Sequence, residues 1–200
     1  MARSFFSYIG SILLDFFESL IIGLAFFVIT YLFAFQPHEV VGSSMDGIAN
    51  FHQGQYILTD KLTYKFREPH RGEIIVFKYP LKKNSDYIKR IIALPNEDIM
   101  LKNNKIYIFN EENPEGMVLD EGEYLSSKVI TESKAFLKEG EKITIPENSY
   151  IVMGDNRPDS SDSRTWGFVP KNDIVGRSYF RYWPTNEIGI IKLPTYNASE

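Results

Sequence analysis

Two residues of this chain have types and settings suited to nucleophilic chemistry: Ser44, in Val41-Gly42-Ser43-Ser44-Met45, and Lys89, in Asp86-Tyr87-Ile88-Lys89-Arg90. A serine hydroxyl is a poor nucleophile until a base takes its proton, and a lysine amine is that base only when neutral. At the ordinary lysine pKa of about 10.4, on the order of one amine in a thousand is neutral near pH 7.5, so the pair requires burial that lowers the lysine by roughly two units or more. Tyr87 to Leu94 is apolar enough to be an interior strand. Its period of two sets Tyr87, Lys89 and Ile91 on one face and Ile88, Arg90 and Ile92 on the other. Downstream, Met153 to Gly167 packs glycines, paired charges and hydroxyls into one loop, a density that folding alone does not demand.

Composition removes several rival chemistries. There is no cysteine, which excludes thiolate catalysis, a thiolate zinc site and disulfide stapling. His38, His52 and His70 stand without metal-ligand spacing and in no Ser/His/Asp pattern, so they offer no metal site, and the Ser/Lys reaction is expected to need no metal or organic cofactor. The formal charge of -4 argues against a nucleic-acid partner, because reading phosphates needs a basic face.

The positioning elements begin with a membrane segment. Leu20 to Phe35 carries no charge, and Ile12 to Ser19 extends it with only Asp15 and Glu18 interrupting, enough for the roughly 20 residues of a spanning helix. A cleaved leader is the competing reading. The length of the run, the lack of basic residues beyond Arg3 and the Gln36-Pro37-His38-Glu39 that follows favour an uncleaved single-pass anchor in the cell membrane, N-terminus inside and the remainder extracytoplasmic.

After Pro37 the chain reads as mainly β, with apolar or alternating runs near Val40 and at Tyr56 to Thr59, Glu73 to Tyr79, Tyr87 to Leu94, Ile99 to Leu101, Lys105 to Phe109, Lys142 to Ile145, Tyr150 to Met153 and Ile174 to Trp183. Lys102-Asn103-Asn104-Lys105 is a hairpin-turn candidate, since asparagine tolerates positive φ. Asn110 to Glu147 has a weaker apolar pattern than its flanks. The domain expectation is a segment 1–36 with the anchor and a catalytic domain 37–200 carrying an inserted subdomain at about 102–148.

Taken in order, Gly42-x-Ser44-Met45, Arg71-Gly72-Glu73-Ile74-Ile75-Val76-Phe77, Tyr87-Ile88-Lys89-Arg90-Ile91-Ile92-Ala93-Leu94-Pro95 and Gly154-Asp155-Asn156-Arg157-x-x-Ser160-x-Asp162-Ser163-Arg164-x-Trp166-Gly167 resemble bacterial type I signal peptidase. The match runs from Val40 to Trp183 and fades between Asn110 and Glu147. The resemblance implies an antiparallel β-sheet catalytic domain behind its anchor and a membrane-bound serine endopeptidase acting on secretory preproteins at Ala-x-Ala-type sites, in contact with membrane lipid. It implies Ser44 as nucleophile, Lys89 as general base, Ser160 hydrogen-bonding the lysine, and the Ser44 backbone N–H in the oxyanion hole. Asp155 with Arg90, and Asp162 with Arg164, become charge pairs bracing the loop, and Met45 and Tyr87 fall at the substrate cleft. A methionine at position 45 also suits core filling.

The sequence departs from that pattern after the nucleophile. Where the family has Ser-Met-x-Pro, this chain has Ser44-Met45-Asp46-Gly47, and the loop onward to Gly54 is slightly longer. Glycine frees the backbone that proline would fix, leaving the serine less firmly placed. Two alternatives share some of these features: a Ser/Lys self-cleaving repressor-type protein, which the apolar segment and the Gly154–Gly167 loop oppose, and a non-catalytic, membrane-tethered module binding signal-peptide-like segments by strand addition. Asn197-Ala198-Ser199 matches a glycosylation tripeptide that is common by chance and carries no assignment.

Overall fold

The structure, a computed structural model, describes residues 2–47 and 51–196 and divides into two units, Met1–Gln36 and Pro37–Glu200. The Ile48-Ala49-Asn50 part of the lengthened loop and the Asn197-Ala198-Ser199 tripeptide lie outside the described residues.

The first unit is dominated by α1 (Ala2–Ala34). Its Ile12–Ala34 stretch is long and apolar enough to cross a membrane by length and composition. At 1.5 Å per residue that stretch rises about 35 Å, against a hydrocarbon core of about 30 Å. Phe16, Phe17, Leu20, Ile21, Leu24, Phe26, Phe27 and Phe33 are all exposed around its circumference, the mark of a helix that meets an apolar medium on every side.

In chain order the remaining elements are β1 (Phe35–Glu39), β2 (Tyr56–Asp60), the turn-length α2 (Thr63–Phe66), β3 (Ile74–Lys78), β4 (Asp86–Ala93), β5 (Asp98–Lys102), β6 (Lys105–Phe109), β7 (Met117–Val118), β8 (Lys142–Thr144), β9 (Ser149–Met153), α3 (Ser163–Trp166), β10 (Val169–Pro170), β11 (Ile174–Trp183) and β12 (Gly189–Ile190). The larger sheet runs β1-β2-β11-β3-β4-β9-β10, with β12 on β11; the smaller runs β7-β6-β5-β8. The smaller sheet includes Asp98–Lys102 and so begins upstream of residue 102. The first strand lies before Val40 and contains Pro37, a residue an edge strand accepts because no inner ladder needs its missing N–H.

Alternation on β3 explains how the site strand is held. Ile74 and Val76 pack with Val40, Met45, Phe51 and Ile57 on one side, with Ile88 against them. Ile75 and Phe77 pack with Ile91, Tyr150, Val152 and Val169 on the other, with Tyr87 alongside. The sheet is therefore buried on both faces at β3 and β4, and the period-two split along Tyr87 to Ile91 holds. A third cluster joins Ile92 and Ala93 to Ile99, Leu101, Ile106, Ile108 and Leu137, welding the small sheet to the end of β4. The β5–β6 hairpin turns on Asn103 and Asn104, both at positive φ (52 and 60°), with Lys102 facing Lys105.

Candidate active site

Lys89 faces Ile75 across the β3–β4 ladder, and its ammonium end reaches Ser44: Nζ lies 2.7 Å from Ser44 Oγ and 2.9 Å from the Ile88 carbonyl oxygen. The residue is 3% exposed. Burial pushes its pKa down to about 8, although the carboxylates of Asp162 and Asp155 pull it back up. The lysine is thus neutral in a large fraction of molecules at mildly alkaline pH.

The loop after β9 holds both residues in place through its glycine and its carboxylates. A Cβ on Gly154 would fall 2.2 Å from the Ser44 carbonyl oxygen and 2.3 Å from Ser160 Oγ, so only glycine lets the loop backbone lie against the serine. Next along, Asn156 N–H donates to Ser44 O at 3.1 Å and its side chain to Ser43 O at 3.0 Å. Asp155 takes a two-pronged hydrogen bond from Arg90 (2.9 and 2.6 Å) in full burial, and Arg90 also donates to Gly72 O. Asp162 caps α3, takes a second two-pronged bond from Arg164 (2.9 and 2.8 Å) and accepts from Gly154 N–H. Burial works to raise the Asp162 carboxyl, but the Arg164 hydrogen bond and charge hold it below its ordinary value. Both arginines are buried with their partners, so each pair is satisfied geometrically, as buried charge requires.

Two expectations need correction. Ser160 is buried close by, but its Oγ has no hydrogen-bond partner, so the expected bond to Lys89 is not formed; the lysine's bonds go to Ser44 and Ile88 instead. Met45 is 1% exposed and packs in the core with Val40, Ile57 and Val76. It sits behind the cleft wall and offers no surface to a ligand, which is the core-filling alternative.

Tyr87, by contrast, lines a groove of about 270 Å³ that ends at Lys89 and is walled by Val40, Val41, Ile57, Val76 and Ile88, with His38, Glu39 and Asp86 on its rim. Tyr87 is fixed by a parallel stack on Tyr79 with centroids 4.4 Å apart. The rest of the wall comes from three separate strand regions, which no sequence-local pattern links. Sequence reading placed Arg157 within its motif but gave it no role, and did not single out Glu121. The guanidinium is fully buried, donates to the Glu121 carboxylate, Thr131 Oγ1 and Gly154 O, and so ties the segment before β8 to the active-site loop. Among the described residues no group of His, Asp and Glu is arranged to hold a metal ion.

Residues 13–183 match the family model described as signal peptidase, peptidase S26. Probable signal peptidase I-2 of Synechocystis is 31% identical over 164 residues, spanning 80% of this chain and 68% of that protein. Signal peptidase I of Leptolyngbya laminosa is 36% identical over 146 residues, 69% of this chain and 64% of that protein. Signal peptidase IB of Staphylococcus aureus is 28% identical over 180 residues, 88% of this chain and 92% of that protein. A solved signal peptidase I from Enterococcus faecalis is 28% identical and covers 56% of this chain and 97% of its own, with a TM-score of 0.43. The family model takes in the serine, the lysine, the loop that packs against them and most of the apolar helix: this chain belongs to the S26 signal peptidases, membrane-associated serine endopeptidases that remove signal peptides.

Proposed function

We propose that Ser44 and Lys89 are the catalytic pair of this endopeptidase. The observation that carries the proposal is the 2.7 Å contact between a half-buried hydroxyl and a lysine whose burial lowers its pKa to about 8. Neutral Lys89 accepts the Ser44 proton as Oγ attacks the scissile carbonyl carbon. The resulting ammonium returns that proton to the leaving amine, releasing the mature protein and leaving an acyl-serine. Lys89, neutral again, takes a proton from the water that attacks the ester carbonyl carbon, and its ammonium then gives that proton to Ser44 Oγ as the acyl C–O bond breaks and the signal peptide leaves with its new carboxyl end. The Ser44 N–H, with no partner among the described residues, is available to the developing oxyanion, where one such donor is worth about 3 kcal/mol.

The substrates we assign are secretory preproteins with Ala-x-Ala-type sites, because the groove is small, largely apolar and ends at the lysine that meets the serine. Support for an extended peptide comes from β4. Asp86 to Arg90 pair with β3, but β9 pairs with β4 only from Arg90 onward, so one edge of Asp86–Lys89 is unpaired among the described residues. Asp155–Arg90 and Asp162–Arg164 hold the loop that carries Gly154 against the serine. The one helix among the described residues that is long and apolar enough to span, with Arg3 ahead of it, supports one membrane span with the catalytic unit on the extracytoplasmic side, in contact with lipid. No observation favours the non-catalytic alternative.

The test is cleavage of a preprotein carrying an Ala-x-Ala site by the full-length protein in detergent, comparing wild type with Ser44→Ala and Lys89→Ala. Cutting at that site by wild type alone is expected. Cutting retained by either variant removes that residue from the catalytic pair.

A further inference from the structure

Gly47 lies three residues after Ser44, and as a glycine it is a permissive point in the backbone that must present the nucleophile. Two groups lie beside it. A Cβ there would meet Asp155 Cβ at 3.2 Å, a tight approach, and the Tyr124 carbonyl oxygen at 3.4 Å, ordinary van der Waals distance. The first neighbour belongs to the active-site loop, and the second comes from the segment between β7 and β8, distant in sequence and with no part in the chemistry described above.

Tyr124 is itself locked. It is 2% exposed, and its ring lies under the Arg90 guanidinium, 4.2 Å from charge centre to ring centroid. Its hydroxyl donates to Glu121 at 2.9 Å and lies 3.3 Å from the hydroxyl of Tyr196. The peptide carrying it is a turn closed by Tyr124 N–H and Leu125 N–H on Glu121 O. The Glu121 carboxylate is bound in turn by buried Arg157, which donates to Gly154 O. One side of the turn is therefore pinned to Arg90 and the other to the loop that touches Ser44. A guanidinium over a ring face, both buried, is an attractive contact that favours one placement of the turn.

We infer that Tyr124 is a positioning residue for the nucleophile: anchored on Arg90, it confines Gly47 and so fixes the backbone that presents Ser44. The inference rests on the proposed role of Ser44. Tyr124 does not line the groove that ends at Lys89, so its effect is expected on the rate of the chemical step rather than on substrate binding.

The experiment uses full-length protein in detergent and the Ala-x-Ala preprotein, with kcat and KM measured for wild type, Tyr124→Ala, Tyr124→Phe and Ser44→Ala, and the melting temperature of each. Tyr124→Ala is expected to lower kcat on the order of 10- to 100-fold with KM within about threefold, at a temperature where it remains folded. Tyr124→Phe keeps the ring on Arg90 and is expected to recover most of that loss, and the acid limb of the kcat/KM profile, which Lys89 sets, is expected to stay put in both. The inference is overturned by a Tyr124→Ala kcat within twofold of wild type, by a loss that appears in KM, by a displaced acid limb, or by a deficit matching only the fraction of unfolded molecules. Activity retained in Ser44→Ala sinks the catalytic assignment instead, so the two failures are distinguishable.

Discussion

Replacing Lys89 with methionine tests the lysine's electrostatics in the folding equilibrium as well as in the rate. Methionine has nearly the same length and no charge. An ordinary lysine at 10.5 brought to about 8 by burial costs the folded state about 3 kcal/mol at 1.36 kcal/mol per pH unit. The folded pKa is the lower one, so between about 8 and 10.5 the unfolded chain holds more protons and wild-type stability rises with pH. Below about 8 the penalty is present in full, and above 10.5 it is gone. Lys89→Met removes the penalty at every pH but loses the hydrogen bonds to Ser44 and Ile88 O, about 1 kcal/mol each. The variant is therefore expected to be inactive yet about 1 kcal/mol more stable than wild type at pH 7, with the advantage reversing by pH 10.5. Denaturant unfolding of the full-length protein in one detergent at pH 7 and pH 10.5 reads this directly. In parallel, wild-type kcat/KM is expected to climb through a single ionisation near 8, so that the pH 7 value is about a tenth of the plateau. A Lys89→Met protein less stable than wild type at pH 7, or a stability difference that does not change with pH, refutes the claim that a desolvated lysine is held here against its preference for charge.

Three further outcomes are expected. Gly154→Ala forces a Cβ into the Ser44 carbonyl oxygen; it is expected to cost about 3 kcal/mol and, by moving the nucleophile, roughly 100-fold in kcat, read from unfolding curves and preprotein cleavage. Arg90→Lys keeps the charge but loses the two-pronged bond to Asp155; a destabilisation of about 3 kcal/mol is expected, and a change under 1 kcal/mol counts against the pair as a brace. Val41→Trp places a large ring at an exposed wall of the groove; kcat/KM for the Ala-x-Ala preprotein is expected to fall about tenfold through KM, with the acid limb near 8 unmoved.

Much of the fold was legible because it is written in period two. The strands around Ile74–Lys78 and Asp86–Ala93 alternate between two cores, and the Asn103-Asn104 turn has the residues its positive φ values require. What escaped was short or non-local. Met117–Val118, Val169–Pro170 and Gly189–Ile190 are two-residue strands with no room for a period to appear. Phe35–Glu39 hid behind its proline. At the site, the serine and lysine were visible as residue types in suggestive settings, but the contacts that fix their neighbourhood join positions far apart: Glu121 with Arg157, Tyr124 with Arg90, Val40 with Ile57 and Val76. Met45 illustrates the limit well, since its chain position beside Ser44 says nothing about which way its side chain packs.

The half-paired state of β4 bears on turnover. If a peptide completes the ladder along Asp86–Lys89, its backbone bonds gather on one side of the cut, because the open edge ends at Lys89 and β9 takes over from Arg90. Hydrolysis then leaves one piece on the ladder and the other with no share of it. Because affinity depends exponentially on the summed bond energy, a difference of about 3 kcal/mol of contact separates the two pieces by more than a hundredfold in affinity. An enzyme that binds by lending out a sheet edge on one side thus sheds the piece on the other side first, without any moving lid.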